Sequence, residues 1–120
     1  MSQSQSLSQT FVAITRNSTD LEWLQGALAP LGQVVSAGAG SLDELLALVD
    51  VTFASLVFVG LDREHVVAQS ALIEGALEAK PMLAIVALGD GMDNQLVLNA
   101  MRAGARDFVA YGSRASEVAG

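Results

Sequence analysis

Apolar residues are distributed along the chain in two alternating patterns. Short β-prone runs stand at Thr10–Thr15 (TFVAIT), Gln33–Ala37 (QVVSA), Ala54–Asp62 (ASLVFVGLD), Met82–Leu88 (MLAIVAL) and Arg106–Ala110 (RDFVA). The densest, Leu56–Val59 with Leu61 past Gly60, has no polar face, as expected of a strand covered on both sides of a parallel sheet. It reads as the central strand. Between the runs, apolar residues recur at helical spacing. The four stripes are Leu21, Leu24, Leu28 and Leu31; Leu42, Leu45, Leu46 and Val49; Val66, Ile73 and Leu77, with Ser70 on the same face; and Leu96, Val97, Ala100 and Met101.

Local punctuation agrees with this division. Thr19 with Glu22 fits a capping box that starts the first helix near Asp20, and Pro30 and Gly32 end it. Trp23 lies off the stripe and is expected to cover a groove edge. Gly38 and Gly40 turn the chain, and Ser41 with Glu44 forms a second capping box. Asp62 is placed to cap the third helix, which Lys80-Pro81 stops. Gly75 inside that helix costs about 1 kcal/mol relative to alanine. GDGMDN is a turn, Asp93 caps the fourth helix, and Gly104 ends it in a left-handed conformation.

The order is strand–helix five times, the last helix (113–120) showing only its first turns. Parallel strands joined by right-handed crossovers follow. The expected fold is a doubly wound α/β sheet of flavodoxin-like order 2-1-3-4-5. Residues 1–9, polar and repetitive, read as a disordered leader, and 10–120 as one domain. The short last helix suggests a piece of a larger protein whose next domain lies beyond Gly120.

Composition narrows the function. Of 120 residues, 52% are hydrophobic and only 5% aromatic, so the core is aliphatic. The formal charge of −7 argues against nucleic acid and anionic membranes as direct partners. With no cysteine and His65 alone, thiolate zinc and multi-histidine metal sites are excluded within one chain. No run approaches a membrane span and no secretion signal is visible, so a cytoplasmic protein without membrane insertion is expected. The glycines of GAGS lack the spacing of a phosphate loop, and no GxxxxGK[ST] occurs.

In an open α/β sheet the working site lies beyond the carboxyl ends of the strands. The residue there on the central strand is Gly60, which has no functional group. No cofactor or metal is expected. A cation would have to use Asp62, Asp90 and Asp93, for which turn and cap roles already account.

MRAGARDFV, Met101–Val109, closely resembles the hxxGAxDFh signature (h apolar) leading into the last strand of two-component receiver domains, and the spacing of all five strands agrees. The resemblance spans about residues 10–118. It implies a site where a carboxylate after the third strand accepts a phosphoryl group beside Mg²⁺ held by two acids after the first. A hydroxyl after the fourth strand and a lysine after the fifth complete it. Here Gly60 stands at the acceptor and Thr15, Arg16 and Asn17 cover the acidic pair. Val86 (Ala87 if the register slips by one) stands at the hydroxyl, and Tyr111 at the lysine with Gly112 at the following proline. Arg16 puts positive charge where a cation would sit.

A chain so altered is similar to the N-terminal domain of TadZ/CpaE-type Flp pilus-assembly proteins, which precedes a ParA/MinD-like ATPase domain. The resemblance implies a degenerate, non-enzymatic receiver working in protein interaction, localisation and regulation. Pilus secretion components or that ATPase domain would be its partners, and recruitment to a polar assembly complex its place. Leu98, Met101, Arg102 and Tyr111 mark the expected interaction face, with homodimerisation through it. Two other readings stand beside this one. In the first, Asp62, two residues past Gly60, serves as a displaced phosphoryl acceptor in a divergent response regulator. In the second, the TRNST stretch with Arg16 and a helix N-terminus senses an anion or small ligand at the sheet's switch point.

Overall fold

The computed structural model describes residues 9–15, 18–37 and 41–110. The strands are β1 (Gln9–Ile14), β2 (Gly32–Ser36), β3 (Leu56–Gly60), β4 (Ala84–Gly89) and β5 (Asp107–Ala110). The helices are α1 (Ser18–Leu28), α2 (Leu42–Thr52), α3 (Val66–Ala79) and α4 (Asn94–Ala103). The sheet has five strands in the order β2-β1-β3-β4-β5, and every pairing is parallel. The expected leader falls on residues 1–9, of which 1–8 lie outside the described residues. So do the Gly38–Gly40 turn and the last helix at 113–120.

Alternation along the strands builds two cores. Val12, Ile14, Val57, Val59, Ile85 and Ala87 face α2, α3 and α4, meeting Leu45, Val49, Ile73, Leu96 and Ala100. Phe11, Ala13, Phe58 and Leu88 face α1, meeting Leu24 and Leu28. Phe11 and Phe58 meet edge to face on that second side, with centroids 6.1 Å apart. Trp23 packs half-buried against the same cluster, as expected of a groove cover.

Several boundaries differ from the sequence reading. Gln9 is not leader but opens β1, its N–H donating to the Leu31 carbonyl at 3.2 Å. A Cβ on Gly32 would overlap the Gln9 backbone, so this glycine opens β2 where two chain segments touch. Helix α1 begins at Ser18, which places Thr19 and Glu22 within its first turns rather than at a cap. It ends at Leu28, leaving Leu31 exposed beyond the stripe. Lys80 to Leu83 form a turn, so β4 starts at Ala84 and Met82 is 94% exposed instead of buried in the strand.

Other signals hold. Ser41 caps α2, accepting from the Glu44 N–H at 3.2 Å, and its hydroxyl lies 3.3 Å from the Glu44 carboxylate. Gly104 ends α4 at φ 110°, a conformation costly for residues with a Cβ. Gly75 has a packing reason, because a Cβ there would stand 2.8 Å from Leu42 Cδ2 on α2. The α4 stripe is Leu96, Ala100 and Ala103. Met101 lies about 140° round the helix from Leu96, so it faces outward rather than inward, and Val97 is on the flank.

Candidate functional site at the carboxyl edge of the sheet

The carboxyl ends of β1, β3, β4 and β5 bring Thr15, Gly60, Gly89 and Ala110 to one edge. Thr15 and Gly60 are buried. Arg16, Asn17 and Tyr111, singled out in the sequence, lie outside the described residues.

The register moves the fourth-strand position. Val86 pairs with Phe58 and Ala87 with Val59, both short of the edge, while Leu88 pairs with Gly60 and β4 runs on to Gly89. The Leu61 N–H donates to the Leu88 carbonyl at 2.7 Å, continuing the ladder past Gly60. The edge position is therefore Gly89 and not Val86. A Cβ on Gly89 would stand 3.0 Å from Phe108 Cζ and 3.3 Å from the Leu61 carbonyl oxygen. The Phe108 ring takes up the room that a side chain at the end of β4 would need.

The three acids occupy separate local roles. Asp62 lies in the loop after β3, three residues ahead of the residue preceding α3. It does not cap that helix, and His65 at the cap makes no side-chain capping bond. Asp62 Oδ1 instead accepts from the His65 N–H at 2.9 Å and lies 2.7 Å from His65 Nδ1. Its Oδ2 accepts from Gln69 Nε2 at 3.3 Å, and its own N–H donates to Gln69 Oε1 at 2.9 Å. Burial pushes the Asp62 carboxyl up, but the bonds from His65 and Gln69 outweigh it and leave it below its ordinary value.

Asp90 Oδ1 accepts from the Met92 N–H at 2.9 Å, a turn role. Asp93 is buried and caps α4, Oδ1 accepting from Gln95 N–H at 3.1 Å and Leu96 N–H at 3.4 Å. Its Oδ2 receives Arg63 Nε at 2.5 Å. That hydrogen bond holds the Asp93 carboxyl below its ordinary value against the opposing effect of burial, and the helix N–H groups assist. Asp93, and to a lesser extent Asp90, raise the affinity of Arg63 for its proton. The Arg63 guanidinium thus neutralises Asp93. Among the described residues, no group of three or more His, Asp or Glu side chains is placed to hold a metal ion.

Sequence reasoning missed Arg63, Gln69 and Phe108. The adjacency of Arg63 to Asp62 was the only hint of the first. Phe108 stood in the signature but was read only as a strand residue.

On the outer face of α4, Leu98 and Met101 are 45% and 46% exposed, and Asn94 and Arg102 are also exposed. No helix of the described residues is long and apolar enough to cross a membrane.

The parallel 2-1-3-4-5 sheet with its loops gathered at this edge is the fold of CheY-like receiver domains. The receiver domain of NtrX from Brucella abortus matches at 20% identity over 91% of each chain, with a TM-score of 0.72. A CheY-like receiver domain protein from Methanospirillum hungatei matches at 15% identity, covering 93% of this chain and 88% of the other, with a TM-score of 0.71. Within that class the chain belongs to the family described as pilus assembly protein TadZ N-terminal, whose model matches residues 7–120. A CheY-like protein (tadZ) from Pseudomonas aeruginosa PAO1 is 59% identical over 92% of this chain and 93% of its own, with a TM-score of 0.88. No curated protein matches the chain in sequence.

Proposed function

We propose that this receiver-like domain of a pilus assembly family accepts no phosphoryl group and acts through its surfaces, as an interaction and localisation module. The observation that carries this reading is the edge itself. Gly60 ends β3 without a nucleophile, and the next carboxylate along the chain, Asp62, already accepts hydrogen bonds on both oxygens. Asp93 is committed to a helix cap and a guanidinium. In this reading the domain is the N-terminal part of a Flp/Tad pilus-assembly ATPase and directs it to a polar assembly complex. It contacts protein partners, including a second copy, through Leu98, Met101 and Arg102 on α4 together with Tyr111.

Two measurements test it. Incubation with acetyl phosphate and Mg²⁺ is expected to leave the intact mass unchanged, and an added phosphoryl group would refute the reading in favour of a displaced acceptor. Leu98→Glu places a charge on the α4 face and is expected to abolish dimerisation through it in analytical ultracentrifugation. An unchanged monomer–dimer constant would remove this face from the proposal.

A further inference from the structure

We infer that the groove between β2 and α2 is the counter-surface of the α4 face, so that one copy of this chain docks its α4 into the α2 groove of another. The inference rests on the reading above that α4 contacts a second copy, and it names the surface met on that copy.

The groove has a volume of about 540 Å³. It is lined by Ser36 and Ala37 at the end of β2 and by Glu44, Ala47, Leu48 and Val51 of α2. Those four α2 residues follow the i, i+3, i+4, i+7 spacing of one helix face. It is not the face that builds the core, which is marked by Leu45 and Val49. Beyond Glu44 this second face is apolar, and Val51 is 75% exposed on it. Helix α3 lies between α2 and α4 and packs on both. The groove and the outer face of α4 therefore belong to opposite ends of one helical layer.

Charge indicates what covers the groove. Residues 94–106 carry Arg102 and Arg106 and no acid, a charge of +2 on a chain of −7. Residues 36–53 carry Asp43, Glu44 and Asp50 and no base, a charge of −3. Asp50 is already tied to Lys80. Among the described residues, Asp43, Glu44, Arg102 and Arg106 enter no ion pair within the chain. The Glu44 carboxylate receives the uncharged Ser41 hydroxyl at 3.3 Å. The two ends thus present unpaired charges of opposite sign, each beside exposed apolar residues, and are complementary to each other. A symmetric α4-to-α4 contact sets two positive segments together instead.

The spacing also agrees. Leu98 and Arg102 are one turn apart on α4, about 6 Å along its axis, and Glu44 and Leu48 are one turn apart on α2. With the two helices antiparallel, Leu98 meets Leu48 while Arg102 meets Glu44. Each copy carries both halves of the contact, which makes it heterologous.

The test is sedimentation equilibrium of the wild type, Leu98→Glu, Arg102→Glu, Val51→Arg and an equimolar mixture of the last two, each also melted. Arg102→Glu spoils the α4 half and Val51→Arg the groove half. Each is expected to weaken association roughly tenfold or more, with a melting temperature within a few degrees of wild type. Should Val51→Arg not melt cooperatively, Ala47→Arg on the same face takes its place. The mixture is expected to regain association, because the intact α4 of one copy finds the intact groove of the other. Val51→Arg at wild-type strength, or a mixture no stronger than its components, overturns the inference while a dissociated Leu98→Glu leaves the α4 reading standing. Leu98→Glu at wild-type strength, or a wild type monomeric at hundreds of micromolar, overturns that reading and the inference with it.

Discussion

Arg63 Nε stands 2.5 Å from Asp93 Oδ2, joining the loop after β3 to the cap of α4 across thirty residues of sequence. Asp93 also caps α4 through its other oxygen, whereas Arg63 is a largely exposed side chain whose ion pair among the described residues is with Asp93. Asp93→Ala is therefore expected to lower the melting temperature by several degrees, and Arg63→Ala by clearly less. Thermal melts of the two variants check the order. Equal losses would mean that the ion pair, not the cap, secures the start of α4.

Acid should erase part of this contribution. The Asp93 and Asp62 carboxyls both sit below their ordinary values in the folded chain. Their stabilisation is then fully present above the unfolded value of about 4, and is lost as pH falls through the lower folded values. The stability gap between wild type and Asp93→Asn is expected to be constant near neutrality and to narrow below about pH 4. Urea unfolding at a series of pH values measures it, and a gap that widens on acidification would reverse the sign argued here.

Restoring the acceptor alone should not restore chemistry. Gly60→Asp places a carboxylate at a buried position beside Leu61 and Leu88. The expected cost is on the order of 3 kcal/mol. Intact mass after acetyl phosphate and Mg²⁺ is expected to stay unchanged. A phosphorylated variant would show that one residue separates this edge from a working receiver.

Gly104→Ala should destabilise the domain by about 1–2 kcal/mol. The position has φ 110°, and a Cβ there would stand 2.6 Å from Leu77 Cδ1. Chemical denaturation measures the loss, and an unchanged midpoint would mean that the end of α4 relaxes freely.

The strand order and both cores were legible because they rest on periodicity. Five apolar runs and four helical stripes leave little choice of topology once crossovers are right-handed. Boundaries were less legible where one residue had two plausible roles. Met82 is apolar enough for a strand, yet the turn after Lys80 keeps it outside. Met101 fits an i, i+4 step from Val97, yet the buried stripe is centred on Leu96, Ala100 and Ala103. The residue that ends the central strand showed directly in the sequence as Gly60. The Arg63–Asp93 pair did not, because it depends on two loops meeting in space. The receiver pattern put Val86, or Ala87 with a one-residue slip, at the edge, whereas β4 runs on to Gly89.

The ring of Phe108 over Gly89 couples these two positions. Serine or threonine at position 89 crowds the ring, which must give way by a few tenths of an ångström, and shrinking the ring instead opens a void beside the core. Each first move is penalised before the second can reward it. Under the proposed function, a side chain at position 89 and the ring at position 108 compete for one space, so the two positions change together or not at all, while the outer faces vary independently of both.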